Sequence, residues 1–309
     1  MRRLAARRIL ECMAHTNSLA ELSNEVADAV DRIAPSVVQV RSRRWRPAAG
    51  LVFSADRVLV SDHAIEHEED LAVRVNGRTA AATLGGRDPS TDLAVLDVAG
   101  LDAPPIAPSG APARVGHLAV AVGRSWSGGV IAGLGVISSI GGPWRTGRGP
   151  AVEQVIRTDI TPYPGFTGGA LLAPDGSLSG IALGILLRGL NVVIPARIAW
   201  GVADMLARHG RIRRAFLGVG GQPVRLPESQ RVGGHDRGVL VVSVSDGSPA
   251  QRDGLMVGDV LLSFNGHRVE EPEMLLSLLT GDLIERATPV DILRGGSTQT
   301  IKVTLSERT

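Results

Sequence analysis

Between Val37 and about Val193, short β-branched apolar runs alternate with Gly, Pro, Asn and Asp, at 37–40, 51–54, 58–60, 71–75, 93–98, 118–122, 130–140, 155–158, 180–186 and 191–194. Runs this short and this closely spaced predict one or two antiparallel barrels. Ahead of them Ser18-Leu-Ala-Glu21 has the form of a capping box, and Leu19, Leu22, Val26, Val30 and Ile33 follow at spacings of three and four before Pro35. That pattern predicts an amphipathic helix opening at Ser18. A second helix is predicted from Pro195 through His209, stopped by Gly210. After a basic stretch at 211–214 the pattern restarts: a strand from Phe216, strand 238–245, a short helix 248–253, strand 260–264 turning at Asn265-Gly266, helix 271–279, and strands 289–294 and 300–305. This is a small α+β module distinct from the barrels.

Composition changes this picture little. The 309 residues are 44% hydrophobic and only 3% aromatic, with 38 glycines and 18 prolines, which favours a mostly β protein of two domains over a helical bundle. The formal charge is +2, and nearly every basic residue is arginine; no nucleic-acid role follows. Arg2, Arg3, Arg7 and Arg8, and the run Arg41-Ser-Arg-Arg-Trp-Arg46, are read as solvated surface charge. The single cysteine, Cys12, excludes an intrachain disulfide. The N-terminal segment lacks the apolar core of a signal peptide, so the expected location from these residues is the cytoplasm.

Candidate chemistry centres on Pro164-Gly165-Phe166-Thr167-Gly168-Gly169-Ala170-Leu171. A Gly-x-hydroxyl-Gly-Gly turn leaves room for a substrate carbonyl and aims backbone N–H groups at a developing oxyanion. Val58-Leu-Val-Ser-Asp-His63 places a histidine after an apolar strand, and Asp92 stands just before Leu-Ala-Val-Leu. The chain order His, Asp, hydroxyl is that of chymotrypsin-class enzymes. His63 and His67 with their acidic neighbours do not match a His-Glu-x-x-His metal motif, so no metal or cofactor is expected. A processed N-terminal threonine nucleophile would require cleavage at Phe166 inside a barrel.

Residues 17–309 resemble the HtrA/Deg family of trypsin-like serine proteases with a C-terminal PDZ domain. Val60-Ser-Asp-His-Ala resembles the family's Thr-Asn-x-His-Val, Thr91-Asp-Leu-Ala-Val95 matches its aspartate motif word for word, and Thr167 falls on the serine of Gly-Asn-Ser-Gly-Gly-Pro-Leu. Residues 115–125 resemble its Val-Gly-x-x-Val-x-Ala-Ile-Gly-Asn-Pro segment, and Asn191-Val-Val-Ile-Pro195 its Gly-x-Ala-Ile-Pro. The resemblance implies a chymotrypsin-like double six-stranded antiparallel barrel followed by a small α+β PDZ domain. It divides the chain into an extension 1–16, a protease domain 17–210, a linker 211–215 and a PDZ domain 216–309. It also implies His63, Asp92 and Thr167 as catalytic residues and the N–H groups of Gly165 and Thr167 as an oxyanion hole. The primary specificity pocket would be lined by Thr161, Tyr163, Ile181 and Leu183, which favours small or medium apolar residues since neither segment is acidic. Phe216-Leu217-Gly218-Val219 resembles a PDZ carboxylate-binding loop, which implies C-terminal peptides as partners alongside unfolded or partly folded substrates.

Three departures bear on function: threonine replaces serine, Phe166 replaces Asn or Asp, and Ala170 replaces proline. The N-terminal segment has none of the aromatic residues of the family's trimer contact, which leaves the homo-oligomer open. The resemblance also implies periplasm or cell envelope as an alternative location. Two readings follow. One is an ATP-independent endopeptidase with Thr167 as a compromised nucleophile; the other is an inactive protease homologue that binds peptides as a chaperone or adaptor.

Overall fold

The computed structural model describes residues 2–42, 48–108, 112–145, 151–187, 190–231 and 234–307. The backbone alone is described for residues 2–17, and the arginines and tryptophan at 43–46 lie outside the described residues. Two compact units divide the chain, Met1–Arg211 and Ile212–Thr309.

The first unit opens with helix α1 (Arg2–Ile33) and a 3-10 turn (Ala34–Ser36). Contrary to the capping-box expectation, the helix runs straight through Ser18. No Gly or Pro interrupts residues 2–33, so nothing in the backbone stops the helix earlier. Its buried side chains also differ from the expected stripe: Ala29 and Ile33 are buried, whereas Leu19 and Leu22 are exposed, because only the last turns reach the barrels.

Twelve strands follow: β1 (Val37–Arg41), β2 (Ala48–Ser54), β3 (Arg57–Ser61), β4 (Ala72–Val75), β5 (Arg78–Asp88), β6 (Leu93–Val98), β7 (Leu118–Arg124), β8 (Val130–Gly141), β9 (Val155–Thr158), β10 (Ala170–Leu172), β11 (Leu178–Leu187) and β12 (Leu190–Pro195). They close into two six-stranded barrels, ordered β1-β2-β3-β6-β5-β4 and β10-β11-β12-β9-β8-β7. Val38, Val52, Val60, Val73, Ala94 and Leu96 fill the first, and Ile137, Ile156, Ile160, Phe166, Leu171 and Val193 the second. Helix α2 (Ala196–His209) leaves Pro195 and ends at Gly210 in the left-handed conformation, burying Ala199, Val202 and Leu206.

The second unit contains β13 (Ala215–Phe216), β14 (Val219–Arg225), β15 (Arg237–Val244), helix α3 (Pro249–Arg252), β16 (Val260–Phe264), β17 (His267–Arg268), helix α4 (Pro272–Leu278), β18 (Ala287–Arg294), β19 (Ser297–Thr304) and β20 (Ser306–Glu307). Its main sheet runs β14-β15-β16-β18-β19, so β14 is an edge strand. Leu217, Val241, Phe264, Leu275, Val290 and Val303 form the core.

One ion pair is decisive for this unit. The buried Asp259 accepts from Arg294 Nε at 2.6 Å and Nη2 at 2.7 Å, and from the Met256 N–H at 2.8 Å. Burial alone pushes its carboxyl up, but these donors together hold it below the ordinary carboxylate value. A carboxyl lowered on folding contributes stability that is present above its unfolded pKa and is lost as pH falls through the folded one. Asp259→Asn is therefore expected to destabilise the second unit by about 3 kcal/mol at neutral pH, since it leaves Arg294 without its charge partner. It should also flatten the acid loss of stability, as followed by hydrogen exchange of that unit in the full chain.

Candidate active site

His63 is positioned by the end of β3, whose residues 58–61 are fully buried and hand the chain into a 3-10 turn, Asp62–Ala64. Asp92 sits opposite in the left-handed conformation (φ 58°) at the head of β6. The turn before it is held from within: Ser90 Oγ and Thr91 Oγ1 donate to the Asp88 carboxylate at 2.7 and 2.9 Å. Asp92 then spends both oxygens on His63. Oδ1 accepts from the His63 N–H at 2.8 Å and Oδ2 lies 2.6 Å from Nδ1. With Nδ1–H donating to the carboxylate, the imidazole lone pair is on Nε2. The Asp92 side chain is 7% exposed and that of His63 38%, so the carboxylate is inside and the ring at the surface.

A second link went unread in the sequence. Asp62 is buried, its N–H donates to Asp92 O at 3.0 Å, and its carboxylate accepts from Arg87 Nε at 2.6 Å. Arg87 also donates to Glu68 at 3.1 Å, and the bond to Asp62 raises the guanidinium above its ordinary value. β3, β5 and β6 are thus tied together beside the His63–Asp92 pair.

The Thr167 loop is built on absent side chains. A Cβ on Gly165 (φ 102°) would lie 2.1 Å from Arg124 O, on Gly168 (φ 78°) 2.1 Å from Ala49 O, and on Gly169 2.4 Å from Val122 O. The loop is docked by Gly168 N–H to Ala182 O (2.7 Å), Ala182 N–H to Gly169 O (2.8 Å) and Ala49 N–H to Thr167 O (2.7 Å). Phe166 is 1% exposed and packs in the core of the second barrel. The carbonyls of Gly165 and Thr167 are taken by Arg124 and Ala49. Their own N–H groups make no hydrogen bond among the described residues. Ser61, two residues before His63, has its nitrogen 3.5 Å from where a Gly168 Cβ would be, so this loop lies against the strand end that carries His63.

Thr167 Oγ1 points at Gly184, where a Cβ would come within 2.2 Å of it, and it makes no hydrogen bond among the described residues. Arg124 joins the loop to the start of the first barrel. Its backbone N–H donates to Gly165 O at 3.1 Å, while its side chain donates to the carbonyls of Ala34 (2.5 Å), Val37 (2.6 Å) and Gly128 (3.2 Å). Burial of the guanidinium lowers its pKa, and these three partners are all backbone carbonyls. Of the four expected pocket residues, Thr161 and Tyr163 are both exposed, with Tyr163 tilted over Phe166 at 6.1 Å. Ile181 and Leu183 are fully buried, flanking the core residue Ala182 along β11.

In the second unit Leu217 is a core residue, and its carbonyl accepts from Ala250 N–H at 2.9 Å. Gly218 (φ 88°) leaves only 2.2 Å between a notional Cβ and Ser248 Cβ. Phe216 and Val219 flank this turn, and α4 packs against the edge strand β14. On α4, Leu275 belongs to the core and Met274 is 40% exposed. No group of His, Cys, Asp and Glu among the described residues is arranged to hold a metal.

Residues 48–181 match the trypsin-like peptidase domain and residues 216–305 the PDZ domain. The chain is 30% identical over 306 residues to serine endoprotease DegS of Haemophilus influenzae, covering 91% of this chain and 87% of that protein. It is 31% identical over 277 residues to a probable periplasmic serine endoprotease DegP-like of a Marinomonas species, covering 87% of this chain but only 58% of that one. The chain therefore spans little more than half of such DegP-like relatives. Among solved structures, the HtrA-type protease AlgW with decapeptide superposes with a TM-score of 0.77 at 26% identity, covering 92% of this chain and 99% of that chain. The serine endoprotease from Yersinia pestis superposes with a TM-score of 0.76 at 28% identity, covering 92% and 98%.

Proposed function

Because this chain belongs to the HtrA family of serine proteases, with a trypsin-like peptidase domain and a PDZ domain, we propose that it is an ATP-independent endopeptidase acting through His63, Asp92 and Thr167. In this reading His63 Nε2 takes the proton as Thr167 Oγ1 adds to the scissile carbonyl. The N–H groups of Gly165 and Thr167 hold the resulting oxyanion, and His63 returns the proton to the leaving amine. Water, deprotonated by the same imidazole, then cleaves the acyl-enzyme. Asp92 fixes the tautomer and stabilises the imidazolium. The observation that carries the reading is the double hydrogen bond of Asp92 to His63 beside a loop whose two N–H groups are unspent.

The substrates we propose are unfolded or partly folded proteins, with small or medium apolar residues accepted at a pocket lined by Thr161, Tyr163, Ile181 and Leu183. The periplasmic names of the DegP-like relatives support the periplasm; nothing among them supports the cytoplasm.

A second reading, an inactive protease homologue serving as chaperone or adaptor, is favoured by one observation: Thr167 Oγ1 faces Gly184. A fluorophosphonate probe and casein turnover separate the two. Labelling and turnover that vanish in Thr167→Ala support the endopeptidase; a silent wild type whose activity appears in Thr167→Ser supports the binding protein.

For the PDZ domain we propose that a peptide's terminal carboxylate is held by backbone N–H groups of Phe216, Leu217, Gly218 and Val219 while its chain adds to β14. Gly218→Ala forces a side chain into a positive-φ site against Ser248, and it should weaken C-terminal peptide binding about tenfold or more by calorimetry. Hydrolysis of unfolded casein should persist. Loss of that hydrolysis with intact peptide affinity would reverse the roles assigned to the two domains.

A further inference from the structure

We propose that Gly184 is a positioning residue for Thr167, its missing side chain being what allows a threonine to stand at the nucleophile position. The inference rests on the reading of Thr167 as nucleophile. Gly184 lies where β11 leaves regular pairing: the β11–β12 register shifts between Ala182 and Leu186, and Gly184 adopts φ 67°. Two residues earlier Ala182 is hydrogen-bonded to both Gly168 and Gly169, so the bulge is presented directly to the Thr167 loop. An ideal Cβ on Gly184 would lie 2.2 Å from Thr167 Oγ1, 3.2 Å from its Cβ and 3.3 Å from its Cα. Bulges re-aim side chains and gather beside active sites; here the bulge also opens a hole.

Rotamer geometry explains why threonine needs that hole more than serine does. Three staggered wells surround the Cβ of residue 167. Serine fills one well with a heavy atom, and threonine fills two, with its hydroxyl and its methyl locked in a fixed relative order. In this structure the hydroxyl occupies the well facing Gly184. If a side chain at 184 closed that well, serine would keep two rotamers and threonine only one. Threonine would then be held in that single rotamer, the well of its hydroxyl dictated by its methyl, whereas serine could still choose the well that faces the imidazole.

The test is a double-mutant cycle on the full chain, Gly184→Ala made in the wild type and in the Thr167→Ser variant, read as kcat and KM on casein and as probe labelling. Any L-residue at φ 67° carries backbone strain, but that cost is common to both backgrounds and cancels. Gly184→Ala should lower kcat about 10²-fold with Thr167, and less than tenfold with Thr167→Ser, with KM little changed in both. Equal losses in the two backgrounds would overturn the proposal. Melting temperatures give a readout independent of turnover: part of the loss caused by Gly184→Ala should return in the Thr167→Ala/Gly184→Ala pair. If neither the wild type nor Thr167→Ser turns over, the nucleophile reading fails on its own. The melting comparison then decides the contact, and no recovery in the double variant overturns it.

Discussion

Thr167→Ser is expected to raise kcat on an unfolded substrate by about 10²-fold, with little change in KM. The figure follows from geometry: misplacing a reacting atom by roughly 1 Å costs about 10²-fold, and the Thr167 hydroxyl is turned to Gly184 with no hydrogen bond among the described residues. Asp92 already orients His63, and the N–H groups of Gly165 and Thr167 are unspent. A serine hydroxyl meets no methyl as it turns toward Nε2, so the gain should fall on the chemical step. Steady-state kinetics on casein with active-site titration by the fluorophosphonate probe measure it. A serine variant no faster than the wild type would show that the threonine methyl is not what limits this site.

Asp92→Asn should act in the opposite direction, lowering kcat on the order of 10⁴-fold in the Thr167→Ser background, where turnover is largest. Asp92 has two jobs that an amide cannot both perform, accepting from the His63 backbone N–H and from Nδ1–H. An asparagine whose carbonyl keeps the backbone bond turns its NH₂ toward Nδ1 and selects the wrong tautomer, a substitution that costs about this much in chymotrypsin-type triads. The fold should survive, because asparagine is among the few residues that accept the left-handed conformation required at φ 58°. Unchanged melting with collapsed kcat is the expected pair of results. A loss of less than tenfold would remove Asp92 from the mechanism.

The barrels were legible in the sequence because most strands carry β-branched residues between turn-formers. The two strands that escaped show why others do not. In β5 the three alanines of Thr79-Ala-Ala-Ala-Thr83 and the pair Gly85-Gly86 dilute the β signal of the threonines, and it becomes a strand because β4 and β6 pair with it. β10 is three residues long, too short for any periodicity. The helix start was misplaced for the opposite reason, since a good local cap at Ser18 lies within a longer helix that no residue interrupts. His63, Asp92 and Thr167 could be found by motif and order, each standing beside a recognisable strand or turn. Gly184 could not, since only a register shift in β11 brings it to Thr167. The same holds for Arg124, whose partners Ala34 and Val37 are distant in sequence and are bonded through backbone carbonyls that leave no mark on composition.

Phe166 stands where the family resemblance leads one to expect Asn or Asp, and its ring is sealed into the second barrel with Ile160, Leu171 and Val193. The residue before Thr167 is therefore gripped by apolar burial, in a cluster of hydrophobic side chains. Such a grip is not weakened by charge screening, and because apolar hydration carries a large heat capacity it slackens on cooling. The temperature response of the barrel core thereby becomes the temperature response of the loop that carries Thr167, and cold loosens what charge screening leaves untouched.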